Sequence, residues 1–347
     1  MSIGIYLSFP FSKPPVKGLG WGAGAYQAEI TRDYLQSLLN EIESSPFKGQ
    51  KVSTLLLGAG DWSLVPPDFF KKLIRVLRKK FRFISRSEFS LEVSPVNLNL
   101  KKIRLFRQLG VNRVSLNLFR FGYAGLKKTV SDLKKAGIRN FNFDLYFGQP
   151  GQTLSSWKRD LQEVVHLTPA HLSIYIYGYS KVQKRLKKQL YYYALDFLPK
   201  QGFQQYEICH FCRPGFESKQ NLLYWQRKNF LGFGAGAASL WNNTRRQNPE
   251  KLQTYFKSIQ FGKNLAISTK RLTEEEVRDE VIYYALRQTD GLDLDRFNQV
   301  YDYDLYSSKK QIIDSLIANG YFSRKANRLA LTKEAYLSAD ELIAKLI

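Results

Sequence analysis

Residues 143–157, FDLYFGQPGQTLSSW, hold a strand, a turn and the start of a helix in one line. The apolar stretch 141–146 reads as a strand, and Gly148-Gln149-Pro150-Gly151-Gln152 reads as a turn. Apolar residues then recur at helical spacing over Leu154–His166. The same unit repeats on both sides. Upstream, strands at Ile3–Ser8, 54–57, 89–93 and 114–118 alternate with helices near 26–43, 67–79, 99–109 and 124–136. Gly137 stands where a C-terminal capping glycine belongs. Downstream, a strand at 171–177 precedes a basic amphipathic helix near 182–198 and a short strand at 205–209. Short apolar strands alternating with helices predict an α/β fold with a parallel sheet. An open doubly wound sheet and a partial TIM-type barrel both satisfy that pattern. In either, the site lies at the strand C-termini, where the turn residues gather at 8–10, 58–60, 92–95 and 148–151.

The chain has 347 residues, 53 Lys and Arg against 30 Asp and Glu, and a formal charge of +23. Its 44% hydrophobic content supports a sizeable core and excludes a disordered basic tail. Two cysteines exclude a disulfide framework and any metal centre needing three protein thiolates, and they suit a reducing cytosol. The N-terminal string MSIGIYLSFP lacks a basic region and meets a proline early, and no apolar run reaches membrane-span length. A cytoplasmic protein is expected.

The composition changes near residue 263. Thr273-Glu274-Glu275-Glu276 reads as a capping box. Residues 274–304 hold ten acidic and three basic residues, which argues against duplex DNA binding by this tail. Helices near 274–288, Leu294–Tyr301 and 309–319, an extended Arg328–Leu331 and a last helix from Lys333 resemble a winged-helix module. The expected organisation is a barrel over 1–200, a barrel extension over 201–262 and a helical domain over 263–347.

Several strings resemble, nearly end to end, the HemW haem-chaperone family, radical-SAM relatives of oxygen-independent coproporphyrinogen III oxidase. They are FDLYFGQPGQTLSSW, LGVNRVSL at 109–116, EVSP at 92–95, GFQQYEI and RPGFESKQNLLYW within 202–225, FLGFGAGA at 230–237 and TDGLDLDRF at 289–297. The resemblance implies a partial TIM-type (β/α)6 radical-SAM-like barrel with a C-terminal winged-helix-like domain. It also implies three cysteines after the first strand to hold a [4Fe–4S] cluster. Tyr6, Pro10 and Phe11 keep that frame, but Ser12, Val16 and Leu19 stand at the cysteine positions. Valine and leucine carry no ligating atom, and serine oxygen is a hard donor where these clusters are held by soft thiolate. The cluster is therefore expected to be absent and S-adenosylmethionine binding to be lost.

The family's glycine loop corresponds to Gly58 and Gly60, followed by Trp62, bulky for a loop that admits a ligand closely. Glu92 and Asp144 complete a vestigial cofactor pocket. Phe119 replaces a cofactor-contacting glutamine, and the loop 121–125 is short. In the family's haem-binding string, Gln220 replaces the histidine, while Tyr224 and Trp225 remain. Cys209 and Cys212 form a C-x-x-C with His210 inside it, open to structural, redox, metal or haem-ligand roles. His166 and His171 read as ordinary polar residues. The expected function is haem or tetrapyrrole binding or trafficking, or a scaffold role, without radical chemistry. The alternative is binding of an acidic macromolecule or anionic membrane, because basic residues come in blocks. Residues 71–86 hold eight and no acid, 101–139 hold eleven and one acid, and 181–188 hold five and none.

Overall fold

The computed structural model describes residues 2–13, 24–118, 125–178, 182–261 and 268–347. The first six strands of the parallel sheet and the five helices between them are β1 (Ile3–Ser8), α1 (Ala28–Ser44), β2 (Lys51–Gly58), α2 (Pro67–Lys80), β3 (Arg82–Val93), α3 (Leu100–Gln108), β4 (Arg113–Asn117), α4 (Leu126–Lys135), β5 (Asn140–Phe147), α5 (Leu154–His166) and β6 (His171–Ile176). Each strand pairs in parallel with the next, from β1 through β6. Helix ends follow local chemistry. Asn99 caps α3 by accepting from the Lys102 amide, Thr153 and Ser156 form a capping box on α5, and Gly137 after α4 has φ +79°.

Later segments divide between two compact units. The elements are α6 (Lys184–Lys200), β7 (Gln204–Glu207), β8 (His210–Cys212), α7 (Lys219–Trp225), β9 (Phe230–Phe233), β10 (Ala238–Trp241), β11 (Thr244–Gln247), α8 (Leu252–Gln260) and β12 (Ser268–Arg271). The first unit is 1–182 with 228–271, and the second is 183–227 with 272–347. This differs from the expected three-way division. The QNLLYW helix, α7, lies in the second unit and the FGAGA turn in the first, because β9 pairs in parallel with β1. In the first unit the strand order is β12-β11-β10-β9-β1-β2-β3-β4-β5-β6. The antiparallel additions β10 to β12 were not legible among the sequence's turn signals. No pairing of β6 with β1 occurs among the described residues, so the sheet is a part-barrel.

The central strands are not uniformly apolar. Ser90 and Glu92 of β3 stand in register with Arg113 and Ser115 of β4; Ser115 and Asn117 meet Asn142 and Asp144 of β5, which meet His171 and Ser173 of β6. These alternate positions share one sheet face, while Leu91, Leu116, Phe143 and Leu172 between them are buried on the other. Phe147 meets Trp157 of α5 on that second face, with ring centroids 6.3 Å apart. The part-barrel thus has an apolar outer layer under its helices and a polar interior.

In the second unit, α9 (Glu274–Arg287), β13 (Leu292–Asp293), α10 (Leu294–Tyr301), α11 (Lys310–Ala318), β14 (Phe322–Lys325), β15 (Arg328–Leu331) and α12 (Ala339–Ile343) follow in order. The strands form an antiparallel sheet ordered β13-β15-β14. Thr273 and Glu276 form the expected capping box. The last helix opens as a 3-10 turn over Lys333–Ser338, and the helix near 309 is preceded by a separate short one at Leu305–Ser308.

Trp62 corrects one expectation. It does not crowd a ligand loop. It is fully buried, donates to the Gly58 carbonyl at 3.0 Å and packs against Phe9 and Phe70. The tight approach falls at Gly60 instead, where a Cβ would overlap the carbonyl oxygens of Phe9 and Phe11. Neither backbone is free to yield, since Phe9 N–H donates to Gly58 and Asp61 N–H to Phe11. Gly60→Ala is expected to cost about 2–3 kcal/mol or to abolish folding. Urea unfolding measures this, and an unchanged midpoint would show that the loop relaxes freely.

Candidate functional site

The C-terminal ends of β2 to β5 bring Gly58, Gly60, Glu92 and Asp144 to one edge of the first unit, as the sequence predicts. Glu92 Oε2 accepts from the Ala59 amide at 3.1 Å. Ala59 sits at φ +66°, a conformation uncommon outside glycine, which aims this amide. A Cβ on Gly58 would lie 2.9 Å from Glu92 Oε2. Both glycines therefore leave room for the chain's own atoms: the Glu92 carboxylate at Gly58, the β1 turn at Gly60.

Asp61 closes the loop. Its Oδ1 accepts from the Ser63 amide at 3.0 Å, the Ser63 hydroxyl at 2.5 Å and the Ser94 amide at 3.2 Å, and Oδ2 accepts from Asn97 Nδ2 at 2.6 Å. Burial pushes its pKa up, while these hydrogen bonds pull it down. Lys102 Nζ donates to the Ser63 and Asn97 carbonyls at 3.0 Å each. The loop after β2 is thus fastened to the loop after β3.

Below this edge runs a continuous polar network. Ser115 Oγ donates to Asp144 Oδ2 at 2.7 Å, and Asn142 Nδ2 reaches both Ser115 Oγ at 2.6 Å and Asp144 Oδ1 at 2.8 Å. His171 Nδ1 lies 2.7 Å from Asn142 Oδ1, which fixes Nδ1 as the protonated nitrogen. His171 is fully buried and belongs to this polar interior. Arg113 is 5% exposed, and its Nε has no partner among the described residues. Sequence reasoning missed Arg113, Ser115, Asn142 and His171. Their signal was the strict polar–apolar alternation of SEFSLEV, RVSLN, NFNFDLY and HLSI.

Ser12 lies in a two-residue strand, pairs with Ala25 and is buried. Val16, Leu19, Phe119 and the loop residues 121–124 lie outside the described residues. Phe9 and Phe11 anchor the turn against Tyr34, with centroids 6.2 and 5.3 Å away.

The second unit holds the other candidates. Gln220, on α7, is buried, while Tyr224 and Trp225 are half-buried. Trp225 stacks near Tyr284 at 5.7 Å and under the Arg287 guanidinium at 5.9 Å. The expected strand through Cys209 ends at Glu207, and Cys209 occupies the hairpin turn before β8. Its amide donates to Glu207 Oε2 at 2.7 Å, and Arg287 holds Glu207 Oε1 at 3.2 Å. Burial, with Glu207 nearby, pushes the Cys209 thiol well up. Cys212 is fully buried. An activated thiolate is favoured by the opposite environment. Among the described residues, no group of three or more His, Cys, Asp or Glu is placed to hold a metal ion. No described helix is long and apolar enough to cross a membrane.

Burial, then the adjacent Asp144 carboxylate, raises the Glu92 pKa to about 8. An unfolded glutamate titrates near ~4.3, so the folded state keeps this proton longer. The associated stability is complete below the unfolded pKa and is lost as pH rises toward about 8. Glu92→Gln avoids that loss. Its melting temperature is expected to gain on the wild type between about pH 5 and 8, with a full extent on the order of 5 kcal/mol. A difference that stays flat with pH would contradict the protonation assigned to Glu92.

Comparison with known proteins matches the HemN C-terminal domain family to residues 272–337. The heme chaperone HemW of Lactococcus lactis subsp. lactis (strain IL1403) is 26% identical over 341 residues, covering 90% of this chain and 89% of that protein. The heme chaperone HemW of Bacillus subtilis (strain 168) is 27% identical over 367 residues, covering 97% of each. The solved structure of coproporphyrinogen III oxidase (HemN) from Escherichia coli, a radical SAM enzyme, superposes with a TM-score of 0.87 over 99% of this chain and 90% of that one, at 21% identity. The motif resemblance therefore extends along the chain: it is similar to heme chaperone HemW over most of its length, and it shares the fold of HemN.

Proposed function

We propose that this chain is a HemW-like protein that has lost its [4Fe–4S] cluster and radical chemistry and persists as a haem- or tetrapyrrole-binding or trafficking protein. The observation that carries this is the joint replacement of the three cluster cysteines by Ser12, Val16 and Leu19, in a chain that otherwise keeps the HemW frame. This donor set does not fit the cluster, so no step is derived through it. The edge of the first unit supports the same reading for S-adenosylmethionine. The space beside Gly58 and Gly60 is taken by Glu92 and by the β1 turn, and the Ala59 amide already has its acceptor. The polar interior around Asn142, Asp144 and His171 then acts as a scaffold.

For the tetrapyrrole, the supporting facts are the names of the relatives and the retained QNLLYW helix. Gln220 offers a weak amide donor where an imidazole is expected, so axial ligation through this position is feeble. Cys209 and His210 are the remaining donors nearby in sequence. A cytoplasmic location fits this role.

Two measurements test the proposal. Anaerobic reconstitution with iron and sulfide is expected to leave iron far below four per chain, and a stoichiometric, oxygen-sensitive cluster would overturn the loss of radical chemistry. Haem titration is expected to give a saturable one-to-one absorbance change that weakens in Cys209→Ser or His210→Ala. Absence of any saturable change would overturn tetrapyrrole binding.

A further inference from the structure

The outer helices of the first unit carry a charge distribution that the tetrapyrrole reading does not use. On α2, α3 and α4 the exposed side chains include twelve lysines and arginines and one acid, Asp68. Asp68 is paired with Lys71 at 3.1 Å, and the other acid on these helices, Asp132, is buried against Lys128 at 2.7 Å. Lys101, Arg104, Lys127 and Lys135 make no ion pair among the described residues.

These helices form one continuous surface. Phe70 of α2 packs against Phe106 of α3 with ring centroids 4.9 Å apart, and Arg78 donates to the Leu109 carbonyl at 2.9 Å. Helix α3 packs on α4, and Lys134 of α4 reaches Thr168, just beyond α5, at 2.9 Å. At that last junction the surface becomes concave. A groove of about 450 Å³ is lined by Lys127, Ser131, Lys134, Lys135 and His166.

Helix dipoles do not account for the arrangement. Basic residues in the last turns, such as Arg107, Lys134 and Lys135, do complement the negative helix end. Lys101 and Lys102 open α3, however, and Lys127 and Lys128 open α4, with no acid in either first turn. There the dipole repels them. Lys102 is held by the Ser63 and Asn97 carbonyls and Lys128 by Asp132, whereas Lys101 and Lys127 make no ion pair among the described residues.

We propose that this surface binds the phosphate backbone of a nucleic-acid duplex, with one phosphate seated in the groove between α4 and the end of α5. Charge complementarity selects a polyanion. No large apolar side chain is exposed on α2, α3 or α4, so there is nothing to insert into a bilayer. No exposed aromatic ring on these helices offers a stacking platform for unpaired bases. What remains is lysine, arginine and serine, the donors of sequence-independent backbone contacts. This inference is independent of the tetrapyrrole reading.

The test is fluorescence anisotropy of the full chain with a labelled duplex of about 20 base pairs, repeated over a salt series. Binding is expected to weaken steeply with salt, by roughly 0.9 in log K per log salt for each phosphate contacted. The variant Lys101→Gln, Arg104→Gln, Lys127→Gln, Lys135→Gln is expected to lose at least ten-fold in affinity and to flatten the slope. A control removing the same charge elsewhere, Lys184→Gln, Arg185→Gln, Lys188→Gln, Lys200→Gln, is expected to bind within about two-fold of wild type. Circular dichroism confirms that both variants fold. Salt-indifferent binding, no binding, or equal losses in the two variants would overturn the proposal. So would tighter binding to phosphatidylserine vesicles than to the duplex.

Discussion

A single buried carboxylate closes the first unit. Glu41, on α1, accepts from the Gly234 amide, Asn248 Nδ2 and the Tyr255 hydroxyl, each at 2.7 Å. All three donors come from about 200 residues further along the chain. Beside it the Tyr34 hydroxyl donates to the Ser8 carbonyl at 2.6 Å and accepts from the Ala235 amide at 3.1 Å. Burial raises the Glu41 pKa to about 7 while the three donors pull it down. Breaking such a satisfied buried group leaves several unpaired donors in the interior, which costs more than losing surface pairs. The alignment of β9 beside β1, and with it the position of the β1 turn, depends on this contact. It also explains the FGAGA string: at Gly234, with φ +98°, any Cβ would overlap the Tyr34 hydroxyl and the Ser8 carbonyl.

The parallel strands and their helices were legible because each obeys a local rule. Leu154–His166 has helical apolar spacing, α4 stops before Gly137, and Thr273 with Glu276 signals a capping box. Glu41 carried no such signal, since a glutamate on an amphipathic helix normally faces water. Nor did β11 and β12, whose TRRQ and STKR strings read as polar loop until an edge strand offers them partners. Trp62 was misjudged for a related reason. Size alone does not say which way a side chain points, and the Gly58 carbonyl turns it inward.

For the site, type and edge were legible but chemistry was not. Glu92 and Asp144 stand at strand ends where carboxylates usually serve a ligand. In three dimensions Glu92 is engaged with the loop after β2, and Asp144 with Ser115 and Asn142. The polar interior was written in the alternation of four strands, yet each strand also fits an apolar run when only its hydrophobic half is counted. The C-x-x-C shows the opposite failure. Its spacing suggests reactive thiols, whereas Cys212 is fully buried and burial, with Glu207 nearby, pushes the Cys209 thiol up.

The return of residues 228–271 to the first unit has a consequence for synthesis. Strand β1 is synthesised before both its neighbours, and β2 can join it within about fifty residues, but its other neighbour, β9, is made more than two hundred residues later. Until then one flank of β1 is an open edge, with Ile3, Ile5 and Leu7 lacking their final cover on that side. The carboxylate of Glu41 likewise waits, hydrated, for donors not yet translated. A nascent chain of this fold therefore exposes an edge open to intermolecular strand pairing over a long, defined interval.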